Sequence, residues 1–202
     1  MNNYEYIIAS LPALSLDWKF GEGDSFGSVV AEIKSRLGKD DGKAVDFLLD
    51  GYKEECMTKE FYEASLRHSN TFIRKFFAFD LNVRNGKARF LNKAFGRPPE
   101  MDTIQVGAAG EFSREAALGE ALAKTDLLER ERSLDELMWN EIDQMTRFNY
   151  FDLDSILGYI ARLHIIARWL ELDEKTGREM FVRLVDEVRA TFKGVDYVPP
   201  QE

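Results

Sequence analysis

Gly23-Asp24-Ser25-Phe26-Gly27 concentrates more reaction-competent residue types than any other stretch of the chain. It satisfies both a G-x-S-x-G and a Gly-Asp-Ser pattern, and in either the Ser25 hydroxyl would attack an acyl carbon after a histidine took its proton. A nucleophile elbow of the first kind needs a strand before the serine and an α/β sheet around it, yet only 22 residues precede Gly23. A Gly-Asp-Ser hydrolase carries its histidine in a late Asp-x-x-His, whereas the residue three before His164 is Ala161. Ser25 therefore reads as the N-cap of a helix after a glycine turn. A Gly-Asp-Ser hydrolase using Ser25 is the minor alternative.

The other reactive types give less. Gly21, Gly23 and Gly27 are not followed by Gly-Lys-Ser/Thr, so no phosphate loop forms. Glu136 with Glu141, or Asp152 with Asp154, could share acid and base roles, but with 36 carboxylates in the chain such pairs arise by chance and read as solvated faces or caps. A single cysteine, Cys56, excludes an internal disulfide, and with only His68 and His164 a Cys/His zinc site has too few ligands. No catalytic residue, cofactor or metal is expected, and the protein is not expected to be an enzyme.

The elements that would position these residues are helical. Ser25 to Leu37 puts Phe26, Val29, Val30, Ile33 and Leu37 on one stripe, Asp41 to Tyr52 repeats the pattern, and a longer segment runs from about Thr58 to Phe77. Only the first dozen residues lack the period. Ser133-Leu-Asp-Glu136 reads as a capping box opening a helix. Asp152 can cap the next, whose apolar residues from Leu153 to Leu170 cover so wide an arc that it should be the central, buried helix. Asp173 starts a further segment to Phe192. The predicted fold class is mostly α: a bundle of an N-terminal helical unit (1–96), a Gly/Pro-rich connection (97–110), a C-terminal helical unit (111–196) and a tail (197–202).

The two units share a frame. Lys75-Phe-Phe-Ala-Phe79-Asp-Leu81 through Gly86 overlays Arg147-Phe-Asn-Tyr-Phe151-Asp-Leu153 through Gly158, offset by 72 residues. The overlay predicts that Asp80, like Asp152, begins a helix. The competing signal is a hairpin, from alternating Phe79, Leu81 and Val83 before Asn85-Gly86.

Charge is uneven. The whole formal net charge of −9 lies in residues 101–202, and the chain is too acidic for a general nucleic-acid binder. Against that, Arg67 to Arg97 holds eight cations and Asp80 alone, a local charge of +7. Arg74, Lys75, Arg84, Lys87, Arg89 and Lys93 are accordingly the candidate contacts for an acidic protein partner. They could instead pair with the acidic stretch from Glu111 to Asp143. The apolar runs are too short to span a membrane, and the N-terminus lacks the pattern of a signal peptide.

Tyr6-Ile-Ile-Ala-Ser-Leu-Pro12, Phe79-Asp-Leu-Asn-Val-Arg-Asn85, Trp139-Asn-Glu-Ile-Asp143, Tyr150-Phe-Asp152 and Arg162-Leu-His-Ile-Ile-Ala-Arg168 together resemble a bacterial family of unknown function encoded in V/A-type ATPase operons. The pseudo-repeat is also similar in style to the C-type (eukaryotic d-type) subunit of those ATPases, a helical funnel on the membrane rotor ring. The resemblance implies a non-catalytic subunit coupling the central rotor shaft to the membrane ring in ion transport, or a peripheral or assembly factor of that complex. It further implies a cytoplasmic protein attached peripherally to the inner membrane, with the other ATPase subunits as partners.

Overall fold

The computed structural model describes residues 3–107 and 112–171. These form α1 (Tyr4–Ser10), α2 (Phe26–Ser35), α3 (Lys39–Asp50), α4 (Lys59–Leu66), α5 (Thr71–Ala94), α6 (Glu115–Leu122), α7 (Leu127–Thr146) and α8 (Leu153–Glu171), with one 3-10 turn at Glu54–Cys56. There is no strand among the described residues, and the fold is mostly helical as predicted. None of these helices is long and apolar enough to cross a membrane. The expected segment from Asp173 to Phe192 and the tail lie outside the described residues.

Helix starts fall where a short polar side chain can take up an orphan amide. The Ser25 hydroxyl accepts from the Ser28 amide at 3.2 Å and Ser28 accepts from the Ser25 amide at 2.8 Å, a reciprocal pair that opens α2. Asn70 accepts from the Ile73 amide to open α5, while its own amide group donates to Asp154 at 2.5 Å. That bond ties the start of α5 to the start of α8. Asp152 caps α8 through the Ser155 amide at 2.9 Å.

Helix α8 is the central element, as its sequence predicts. Ten of its residues between Ile156 and Ala167 are buried, and it packs against α1, α2, α3, α5 and α7. Each fully buried Ile or Leu there stabilises the fold by roughly 1.5–3 kcal/mol. Phe72, Ile73, Phe76, Phe77 and Leu81 of α5 join α8 in the main core. Phe79 and Val83, on the opposite side of α5, form a second cluster with Leu118, Ala121 and Leu122 of α6 and Leu134 of α7.

This double burial corrects two readings of the sequence. Asp80 begins neither a helix nor a hairpin strand, because α5 runs unbroken from Thr71 to Ala94. The apparent alternation arises from two interleaved i, i+4 stripes: Phe77 with Leu81 faces the main core, and Phe79 with Val83 faces the second cluster. Asn85 and Gly86, which together mimic a hairpin turn, have separate tasks. The Asn85 side chain pairs with both backbone groups of Ile104 at 2.9 Å and pins the connecting loop against α5. Gly86 admits Leu118, since a β-carbon there would collide with that side chain. Gly158 plays the matching part on α8, where a β-carbon would press on Thr146 of α7. Within the repeat frame the glycine keeps one role at both positions and the aspartate does not.

Other boundaries move for similar reasons. Ser133 is not a cap: Asp126 opens α7 by accepting from the Glu129 amide, and the Ser133 hydroxyl donates to the Glu129 carbonyl in mid-helix. The segment expected from Thr58 to Phe77 is two helices, broken at Arg67–Asn70 where Asn70 caps anew. The N-terminal residues, which lack helical periodicity, form one short helix anchored by Ile7.

Candidate functional site

Ser25 is committed to its cap. Its hydroxyl serves the Ser28 amide, and among the described residues no histidine hydrogen-bonds to it. His68 accepts from the Asn70 amide at 3.0 Å. His164 stacks face to face on Tyr52, with ring centroids 3.6 Å apart, and meets the edge of Phe26 at 5.5 Å. Among the described residues no group of three His, Cys, Asp or Glu side chains could hold a metal ion.

The six candidate partner cations divide into two sets. Arg74 donates to the His68 and Ser69 carbonyls and to Thr71, stapling the α4–α5 turn. Arg84 donates from Nε to Asp80 at 2.6 Å, Lys87 pairs with Glu131 of α7 at 3.3 Å, and Arg89 grips Glu100 through two bonds of 2.9 and 3.0 Å. Lys75 and Lys93 are exposed and enter no ion pair among the described residues. Asp80 is already counted in the local +7, and beyond it only Lys87, Arg89 and Arg67 find a carboxylate among the described residues, so less than half of that charge is balanced there and only one of these pairs, Lys87–Glu131, reaches the acidic stretch.

Between α5, α7 and α8 the Arg84–Asp80 and Lys87–Glu131 pairs border a cavity of ≈ 470 Å³. Asp80 accepts from the buried Tyr62 phenol and from Arg84, each at 2.6 Å. Asp135 accepts from Arg168 and from the Trp169 indole. Burial pushes the Asp135 carboxyl above its ordinary range, against the pull of Arg168 and Trp169. Burial, reinforced by Arg168 and Arg84, lowers His164 to about 4, so the imidazole is neutral at pH 7. Every cation here has its own carboxylate and the imidazole is uncharged, an arrangement suited to locking three helices in register.

The sign of the His164 shift gives a prediction. Its folded value lies below the unfolded 6.5, so the unfolded chain takes up the proton first. Stability should be intact above pH 6.5, fall as the pH drops toward 4, and level off below that, by about 3 kcal/mol in all for this group. Asp135 contributes with the opposite sign near its own range. Urea titrations of the wild type and His164→Gln between pH 7.5 and 4.5 isolate the histidine: the variant should lose the steeper part of the decline.

The residues that sequence reasoning missed stand at the α7–α8 corner. Phe148, Tyr150 and Phe151 are 82%, 69% and 56% exposed. Their backbone is braced, because the Asn149 amide donates to the Thr146 carbonyl at 2.9 Å and the Asn149 side chain donates to Asp152. Arg147 lies over the Phe148 ring at 6.0 Å. Three aromatic rings held on a rigid turn, outside any core, form a surface of the kind that anchors protein interfaces. The signal was present in the sequence: Phe148, Tyr150 and Phe151 crowd one turn, where no helical stripe needs them all.

A family model described as a protein of unknown function (DUF2764) matches residues 50–191, a span that includes α4 to α8. No curated protein and no solved structure matches the chain.

Proposed function

The chain belongs to the DUF2764 family, and from that starting point we propose that it is a non-catalytic subunit of a V/A-type ATPase or ATP synthase, an adaptor coupling the rotor shaft to the membrane ring. The ATPase assignment rests on the sequence resemblance carried by Phe79-Asp-Leu-Asn, Tyr150-Phe-Asp152 and Arg162-Leu-His. The single structural observation behind a docking role is the exposed corner of Phe148, Tyr150 and Phe151. An adaptor of this kind transmits torque through shape and packed contacts, which calls for a stiff helical body and aromatic anchors. It requires no reactive side chain. The subunit works at the cytoplasmic face of the membrane, held there by its partners, with Lys75 and Lys93, exposed and in no ion pair among the described residues, adding attraction to an acidic surface.

The test replaces all three rings, Phe148→Ser with Tyr150→Ser and Phe151→Ser. Because the rings lie outside the core, the variant should unfold within about 0.5 kcal/mol of the wild type. Its affinity for the purified shaft and ring subunits should fall by roughly 100-fold, the loss expected when interface anchors are truncated. Unchanged affinity would remove the corner from the interface.

A further inference from the structure

The cavity of ≈ 470 Å³ between α5, α7 and α8 is of the size that holds a small organic molecule, about 300–1,000 Å³. Part of its lining is apolar and within reach of such a molecule: Met57, Ala88, Ile104 and Met138 are only half-buried, and Leu91 is exposed. His164, which also lines it, adds hydrogen-bonding capacity. Tyr52 covers one face of the imidazole and Phe26 meets it edge to face. The ring nitrogens have no hydrogen-bond partner among the described residues, and neither is shut off from solvent. Because the imidazole is neutral at pH 7, it offers one donor and one acceptor.

The charges at the cavity decide what the molecule carries. The cation is the outer member of each pair there: the Arg168 side chain is 44% exposed and its partner Asp135 only 6%, and Arg84 likewise lies outside Asp80 and Lys87 outside Glu131. An anion would have to draw a cation off its carboxylate, and a cation would have to reach past Arg84 or Arg168 to a carboxylate beneath, so either would break a pair that is partly buried. Asp102, exposed at the rim, adds repulsion against an anion. We propose that this cavity binds an uncharged aromatic molecule with one hydroxyl, whose ring lies against the apolar wall and whose hydroxyl hydrogen-bonds to His164. Met57 and Met138 in that wall favour an aromatic ring, since each sulfur–ring contact contributes about 0.3–1.5 kcal/mol. Water alone would satisfy His164 but would leave the wall wetted. This site does not rest on the adaptor reading.

The probe is β-naphthol, uncharged at neutral pH, followed by calorimetry and thermal unfolding of the full chain, with β-naphthoate and β-naphthylmethylamine as its anionic and cationic analogues. The naphthol should bind and raise the unfolding midpoint, and each charged analogue should bind at least about tenfold more weakly. His164→Phe keeps a ring on Tyr52 but loses both nitrogens, so it should weaken naphthol binding about tenfold. Ala88→Phe fills the cavity from α5 and should abolish binding while helical content stays at the wild-type level. No binding of the naphthol at millimolar concentration, equal binding of either charged analogue, or unchanged affinity in His164→Phe overturns the proposal. Unchanged affinity in Ala88→Phe would place the molecule elsewhere on the chain and overturns it too. The comparison of the three probes uses the wild type alone, so it decides the matter even where a variant fails to fold.

Discussion

Phe77→Ala should cost about 3–5 kcal/mol of stability, a large share of the 5–15 kcal/mol typical of a whole domain. The ring is 1% exposed. It meets the Phe61 ring edge-on at 5.0 Å and Phe76 at 5.2 Å, with Phe47 and Tyr62 at 6.1 and 6.4 Å. Those partners come from α3, α4 and α5, so a cavity at Phe77 cannot be closed by moving one helix without pulling another out of contact. Phe77→Leu keeps most of the volume and should cost only about 1–1.5 kcal/mol. Urea unfolding of both variants checks this. A loss under about 1 kcal/mol for the alanine variant would mean that the aromatic cluster is loosely packed.

The second large effect separates two aspartates that occupy equivalent places in the sequence repeat. Asp80→Ala should lower stability by about 3 kcal/mol, because it strips the buried Tyr62 phenol of its acceptor and Arg84 of its counter-ion in one step. Alanine is a better helix former than aspartate, so α5 stays intact and the loss reports the missing partners, less a few tenths of a kcal/mol of propensity gain. Asp152→Ala removes a helix cap and the acceptor of the Asn149 side chain, both near the surface, and should cost about 1–1.5 kcal/mol. Equal, small losses at both sites would mean that Asp80 is a cap too and that α5 is interrupted there.

That contrast shows what the sequence made legible. Local signals with one interpretation were readable: Ser25 after its glycines caps α2, and the wide apolar arc of 153–170 makes α8 the central helix. Phe79-Asp80-Leu81 misleads because a helix buried on two sides carries two stripes half a turn apart, and over a few residues that resembles strand alternation. Asn85-Gly86 misleads because each residue answers a neighbour far along the chain, Ile104 and Leu118. Ser133 matches a capping box, but Asp126 takes up the helix start seven residues earlier.

Site features depend still more on tertiary placement. The basic segment is visible as a charge count, yet which cations are paired follows from where Glu100, Glu131 and Asp80 lie in space, and among the described residues Lys75 and Lys93 enter no ion pair. The aromatic corner needs the turn between α7 and α8 to show that its rings point away from any core. The cavity beside His164 has no sequence signature, because a space between helices is a property of how they meet.

The adaptor reading meets its most direct test when the V/A-type ATPase is isolated intact through a tag on its membrane ring from the cell that makes this chain. The account predicts that the chain is present in fixed stoichiometry with the rotor shaft, and that it is lost when Phe148, Tyr150 and Phe151 are changed to serine. An active, complete ATPase that never contains the chain, while the chain purifies free of every ATPase subunit, would contradict it.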